Sequence, residues 1–159
     1  MGAVFAKNGV QAPNASRQAA KGVNVFIDTS VWFAAANARD RLNARAKALL
    51  SDISDPLLTD HVLVETWLLL NSRVGRHAAE QFWRRLRDSG VDVQKVTLGD
   101  LDAAWTIGQA FGDQTFSIVD RTSFAVMERL RVTRVASFHD DFAVYRYGRS
   151  RDKAFDVLR

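Results

Sequence analysis

Asp28, Glu65, Asp120 and the run His139-Asp140-Asp141 are the residues best suited to chemistry, because each stands where an acid is awkward. Asp28 follows directly on Val25-Phe26-Ile27, a short apolar run that reads as a buried strand. At the carboxyl end of a strand in a parallel α/β sheet an acid faces a cleft, although Asp is equally suited to cap the helix that follows. Glu65 has Val62, Leu68 and Leu69 as its helical neighbours, so it is expected within a buried apolar surface. An unpaired buried carboxylate costs several kcal/mol, which calls for a metal, a basic partner or a polar cleft. Asp120 is the third residue after Ser117 and completes the pattern of a capping box, while Phe124 and Met127 set it beside an apolar stripe. His139, Asp140 and Asp141 follow another predicted strand, where they read either as a turn or as part of a site.

Two of these positions lie just past strand ends, one lies inside an apolar helix and one opens a helix. In a parallel α/β fold all of them can meet at one edge. Convergent carboxylates need a counter-charge, and with oxygen ligands and no thiols the expected ion is hard, Mg²⁺ or Mn²⁺. Such an ion activates water and neutralises a scissile phosphate, which points to phosphodiester hydrolysis. Asp113 is a possible outer acid, and Thr29, Ser30 and Ser137 are candidates to orient carboxylates or water.

Elements to position these groups can be read along the chain. Strands are expected over 23–28, 57–59, 91–96 and 135–138, with a fifth near 155–158. Helices are expected over 29–36, 40–53, 60–73 and 76–87, and then from the capping boxes at Thr97 and Ser117 to about 111 and 131. Strands alternating with helices imply a mainly parallel central sheet of four to five strands flanked by helices. Phe82 and Trp83 fall on an apolar stripe, as core or dimer contacts, with Arg84, Arg85 and Arg87 solvated.

The chain has 159 residues, enough for one domain over 23–159, preceded by a disordered basic tail over 1–22. It has no cysteine, which excludes disulfides, thiolate metal sites and cysteine nucleophiles and fits a reducing, cytoplasmic setting. No apolar run approaches the roughly 18 residues of a membrane span. The net charge of +4 and three arginine clusters, at 84–87, 129–134 and 146–151, suit a phosphate polymer as partner. A phosphoryl-accepting receiver would need a second acid beside Asp28 and a suitably placed late lysine, and both are missing. A serine hydrolase would need a Gly-x-Ser-x-Gly elbow, which is also missing.

Phe26-Ile27-Asp28-Thr29-Ser30 resembles the opening motif of PIN domains, and His61-Val62-Leu63-Val64-Glu65-Thr66-Trp67 resembles their second acidic motif. Ser117-Ile118-Val119-Asp120-Arg121-Thr122-Ser123-Phe124 resembles the third, and the ordered set over about 23–142 is similar to VapC-type toxins of bacterial toxin–antitoxin pairs. The resemblance implies a Mg²⁺- or Mn²⁺-dependent endoribonuclease with Asp28, Glu65 and Asp120 as catalytic metal ligands. It also implies a structured RNA substrate (rRNA or tRNA), a homodimer and a small antitoxin that blocks the cleft. His139 stands where the family's last motif has its first acid, and Asp141 takes the second place. Histidine suits Mn²⁺ better than Mg²⁺, so a weakened or Mn²⁺-preferring second position is expected at His139 and Asp141. The alternative is a catalytically impaired PIN domain that only binds RNA or antitoxin.

Overall fold

The computed structural model describes residues 23–159; the expected tail over 1–22 lies outside the described residues. Among the described residues five strands form the sheet: β1 (Val25–Ile27), β2 (Pro56–Thr59), β3 (Asp92–Gln94), β4 (Arg134–Ala136) and β5 (Asp156–Leu158). They run in the order β3-β2-β1-β4-β5 and every pairing is parallel. The connecting segments hold seven helices: α1 (Thr29–Ala36), α2 (Asn43–Ser51), α3 (Asp60–Arg73), α4 (Arg76–Ser89), α5 (Leu98–Ala110), α6 (Ile118–Leu130) and α7 (Asp141–Val144). The expected α/β class is therefore observed, with β1 at the centre of the sheet. The chain leaves β1 towards β2 and β3, then returns to place β4 on the other side of β1. Ligands of open α/β sheets bind at such a reversal, beyond the carboxyl ends of the strands.

Alternation along β1 builds two cores. Val25 and Ile27 pack with Ala136 against Val31 and Ala34 of α1 and Ala46 of α2. Phe26 and Val135 face the other way, into a larger cluster with Phe124, Phe142, Tyr145 and Phe155. Phe124 and Tyr145 stack with centroids 4.2 Å apart, and Phe142 meets Phe124 edge-on at 5.0 Å. The Tyr145 hydroxyl donates to Glu128 at 2.6 Å; burial and that carboxylate push its pKa well above the ordinary phenol value. This aromatic cluster fixes α6 and α7, the helices that carry Asp120 and Asp141.

Helix α6 is also held to α5. Arg129 donates to both oxygens of the buried Asp100, at 2.8 and 3.0 Å, and to the Lys95 carbonyl. Burial alone raises the Asp100 carboxyl, but Arg129 and the Thr97 cap outweigh it and hold it below the usual carboxylate range. Gly108 leaves room on α5 for Arg121: a Cβ there would come within 2.0 Å of Arg121 Nη1.

Four expectations need correction. Helix α2 starts at Asn43, because Asp40 turns the chain by accepting from the Leu42 amide at 2.8 Å. Asp141 opens the short helix α7, where the two adjacent acids had been read as a turn or as part of a site but not as a helix start. Trp83 is 44% exposed, whereas Phe82 is buried. Glu65 is half-buried, and Leu68 beside it is 55% exposed, so α3 presents part of its apolar surface to solvent.

Candidate active site

Asp28 leaves β1 level with Ser137 leaving β4, since Ile27 pairs with Ala136 and the Asp28 amide donates to the Ala136 carbonyl. Asp28 is buried, and its Oδ2 accepts from Ser30 Oγ at 2.6 Å, Ser137 Oγ at 2.9 Å and the Ser30 amide at 3.3 Å. Asp28 thus caps α1 at the carboxyl end of β1. Thr29, the next residue, donates its hydroxyl to Glu65 Oε2 at 2.6 Å, which ties the glutamate of α3 to the same edge.

Asp120 closes a capping box with Ser117: the Ser117 amide donates to Asp120 Oδ2 at 2.7 Å, and Ser117 Oγ accepts from the Asp120 amide at 3.0 Å. Burial first, and then the negative charges of Asp28 and Asp141, push its pKa up from 3.8 to about 6 against the lowering effect of Ser117. That shift locates Asp28, Asp120 and Asp141 in one electrostatic neighbourhood. Helices α3 and α6 are linked as well, since His61 Nδ1 and Thr122 Oγ1 lie 3.1 Å apart. His61 is one turn ahead of Glu65 and Thr122 is two residues past Asp120.

Not every expected residue joins this neighbourhood. The His139 ring is exposed and makes no hydrogen bond or ion pair with the four carboxylates; it lines a cavity beside Thr29 and Ser30. Asp140 is engaged by Arg159. Asp113 is exposed and accepts only from its neighbour Gln114. Among the described residues no group of three or more His, Cys, Asp or Glu side chains is placed so that it could hold a metal ion as it stands.

The donor chemistry nonetheless fits a hard cation. Among the described residues, Asp28, Glu65, Asp120 and Asp141 form no ion pair, although four pairs occur elsewhere. Asp28, Glu65 and Asp120 each commit one oxygen to hydroxyl or amide donors of the chain and keep the other without one. Carboxylates oriented in this way, with uncompensated charge, are what Mg²⁺ or Mn²⁺ recognises. Ser117 entered the sequence reading only as a cap, yet its amide orients Asp120. Asn43 was missed altogether. Its Nδ2 donates to the carbonyls of Ala34, Ala35 and Asn37 at 2.7, 3.0 and 3.0 Å and fixes the loop after α1. A lone Asn at a break between two helices is the only hint of this in the sequence.

The match of the PIN domain family model over residues 25–146, from β1 past α7, decides the kinship. The chain belongs to the PIN-domain family. Within that family it is a homologue of VapC-type endonuclease toxins. The 23S rRNA-specific endonuclease VapC20 of Mycobacterium tuberculosis, in strains CDC 1551 / Oshkosh and H37Rv, is 37% identical over 120 residues; these cover 75% of this chain and 92% of the relative. The crystal structure of M. tuberculosis VapC20, described as a sarcin-ricin loop cleaving toxin, superposes with a TM-score of 0.71 at 36% identity over the same shares of the two chains. A toxin–antitoxin complex from Klebsiella pneumoniae has the same fold, with a TM-score of 0.59 at 14% identity, covering 85% of this chain and 96% of that one. FitAcB from Neisseria gonorrhoeae likewise shares the PIN fold, with a TM-score of 0.59 at 17% identity and the same coverage.

Proposed function

We propose that this PIN domain is a metal-dependent endoribonuclease toxin that hydrolyses phosphodiester bonds of structured RNA and is neutralised by a cognate antitoxin. The observation that carries the reading is the set Asp28, Glu65, Asp120 and Asp141 at one sheet edge, with no basic side chain paired to it among the described residues. Asp28, Glu65 and Asp120 are the catalytic ligands of a Mg²⁺ or Mn²⁺ ion, and Asp141 adds charge beside Asp120. The ion, when bound, supplies an activated water and neutralises the scissile phosphate. The chain's own part is orientation: Ser30 and Ser137 fix Asp28, Thr29 fixes Glu65 and the Ser117 amide fixes Asp120. With a pKa of about 6, Asp120 exchanges a proton near neutral pH until a cation displaces it.

Ribosomal RNA is the preferred substrate class over tRNA, because the relative with 37% identity is a 23S rRNA-specific endonuclease. A homodimer is supported by the apolar strip of Val64, Leu68 and Trp83 on α3 and α4, each more than two-fifths exposed. Among the described residues no helix is long and apolar enough to cross a membrane, and the cysteine-free composition supports a cytoplasmic setting.

The test is incubation of the purified chain with total cellular RNA in Mg²⁺, in Mn²⁺ and in chelator. Discrete cuts are expected in either metal and none in chelator. Binding without cuts in either metal would instead favour the impaired, binding-only reading, for which His139 outside the acidic neighbourhood is the specific support. Ser137→Ala should lower activity roughly 10- to 100-fold by freeing Asp28 to rotate, with half-saturating Mn²⁺ raised in the same assay.

A further inference from the structure

A cavity of about 580 Å³ lies beside the acidic edge, between α1, the loop after it and the last turns of α3. Its size suits a small ligand, for which cavities run from about 300 to 1,000 Å³. Thr29 and Ser30 form one wall, and their hydroxyls hold Glu65 and Asp28, so cavity and acids share a boundary. Arg39, Arg41 and Arg73 stand around it, exposed, with no carboxylate within 4.0 Å among the described residues. Asp40, the one acid in the lining, has an oxygen committed to the Leu42 amide. Half-buried Phe33 lies inside, with the Arg73 guanidinium 5.9 Å from its ring centre. The loop that carries Arg39 and Arg41 is anchored by the three hydrogen bonds of Asn43.

Unpaired guanidinium groups repel one another, so three gathered at one cavity without a partner leave a site for negative charge. An aromatic face among them adds a stacking surface. We infer that this cavity seats the ribonucleotide adjoining the scissile bond. Arg39 and Arg41 contact its backbone phosphates, and its base lies against Phe33 and Arg73. The inference rests on the proposed nuclease reading and names how that site grips its substrate. The three arginines and Phe33 are binding residues. They hold the substrate strand beside the acids and take no part in bond breaking.

The test combines binding and cleavage, with Arg84→Gln/Arg87→Gln on α4 as a control of equal charge. Binding of fluorescein-labelled decaadenylate is measured in an Asp28→Asn background over a range of KCl concentrations. Each phosphate contact on a single strand contributes about 0.7 to the salt slope. Arg39→Gln/Arg41→Gln is therefore expected to reduce that slope by roughly 1.4 and weaken binding about tenfold at moderate salt. Phe33→Leu is expected to weaken binding roughly fivefold without changing the slope. On total RNA with the Asp28 chain, the Arg39→Gln/Arg41→Gln pair should raise KM with kcat held within about twofold, as for lost uniform binding. An unchanged slope, or a loss no larger than that of the α4 control, overturns the inference. If the unsubstituted chain cuts nothing, the nuclease reading fails while the binding arm still decides the cavity on its own.

Discussion

Replacing Asp28 by Asn is expected to reduce RNA cleavage by about three orders of magnitude while the chain stays folded. The amide keeps the shape of the carboxylate and one oxygen to accept from Ser30 and Ser137, so the cap of α1 persists. What disappears is the charge, at the position where β1, β4 and α1 meet. Loss of a ligand to a catalytic ion forfeits several kcal/mol of transition-state stabilisation, and about 4 kcal/mol corresponds to ~10³ in rate. Cleavage of total RNA in saturating Mn²⁺ measures the rate, and circular dichroism with a urea titration verifies the fold. Activity within tenfold of the unsubstituted chain would remove Asp28 from the site.

The second large effect concerns Asp120 and has the opposite sign for stability. Its carboxyl pKa is 3.8 in the unfolded chain and about 6 in the folded, metal-free one. Between those values the folded state binds more protons than the unfolded state, so metal-free stability should rise as pH falls from 7 towards 4. The shift corresponds to roughly 3 kcal/mol, reduced to about 2 by the partly solvated position of the group. Asp120→Asn should therefore stabilise the metal-free protein by about 2 kcal/mol at neutral pH and flatten this pH dependence. Asn still accepts from the Ser117 amide, so the cap is kept. The Asp100–Arg129 pair works against the trend only at the acid end, where protonation of Asp100 removes stability as pH falls through its depressed pKa. Thermal unfolding in chelator from pH 4 to 8 measures both proteins. Mn²⁺ should raise Tm for the unsubstituted chain and leave the Asp120→Asn variant nearly unmoved. A destabilised Asn variant in chelator would show that the strain assigned to Asp120 is absent.

Much of this was legible in residue order because local signals agreed. Val25-Phe26-Ile27 ending on Asp28 marks both a strand and the place where the sheet opens. The Thr97 and Ser117 capping boxes both formed as their spacing requires. Glu65 was less legible. Helical spacing gives its neighbours, but it does not show that Leu68 is left 55% exposed among the described residues. Helix α7, which Asp141 opens, was not foreseen, because a single turn of helix leaves no periodicity to detect. The Arg39, Arg41 and Arg73 cavity was invisible for a different reason. Its members come from the loop after α1 and from the far end of α3, and only the packing of those helices, with Asn43 holding the loop, brings them together.

The Ser117–Asp120 capping box puts one side chain in service both of the fold and of the proposed chemistry, and the two demands differ in strictness. A helix cap accepts Asn almost as well as Asp, whereas a cation site does not. A lineage burdened by its own RNA cleavage therefore has a short mutational exit. A single-base change turns an Asp codon into Asn, and the product is a well-folded, silent protein that still presents its partner surfaces. Under the proposed function, such silent copies would keep drawing on the antitoxin pool, so the loss of cutting by one copy would alter the restraint on every active copy in the same cell.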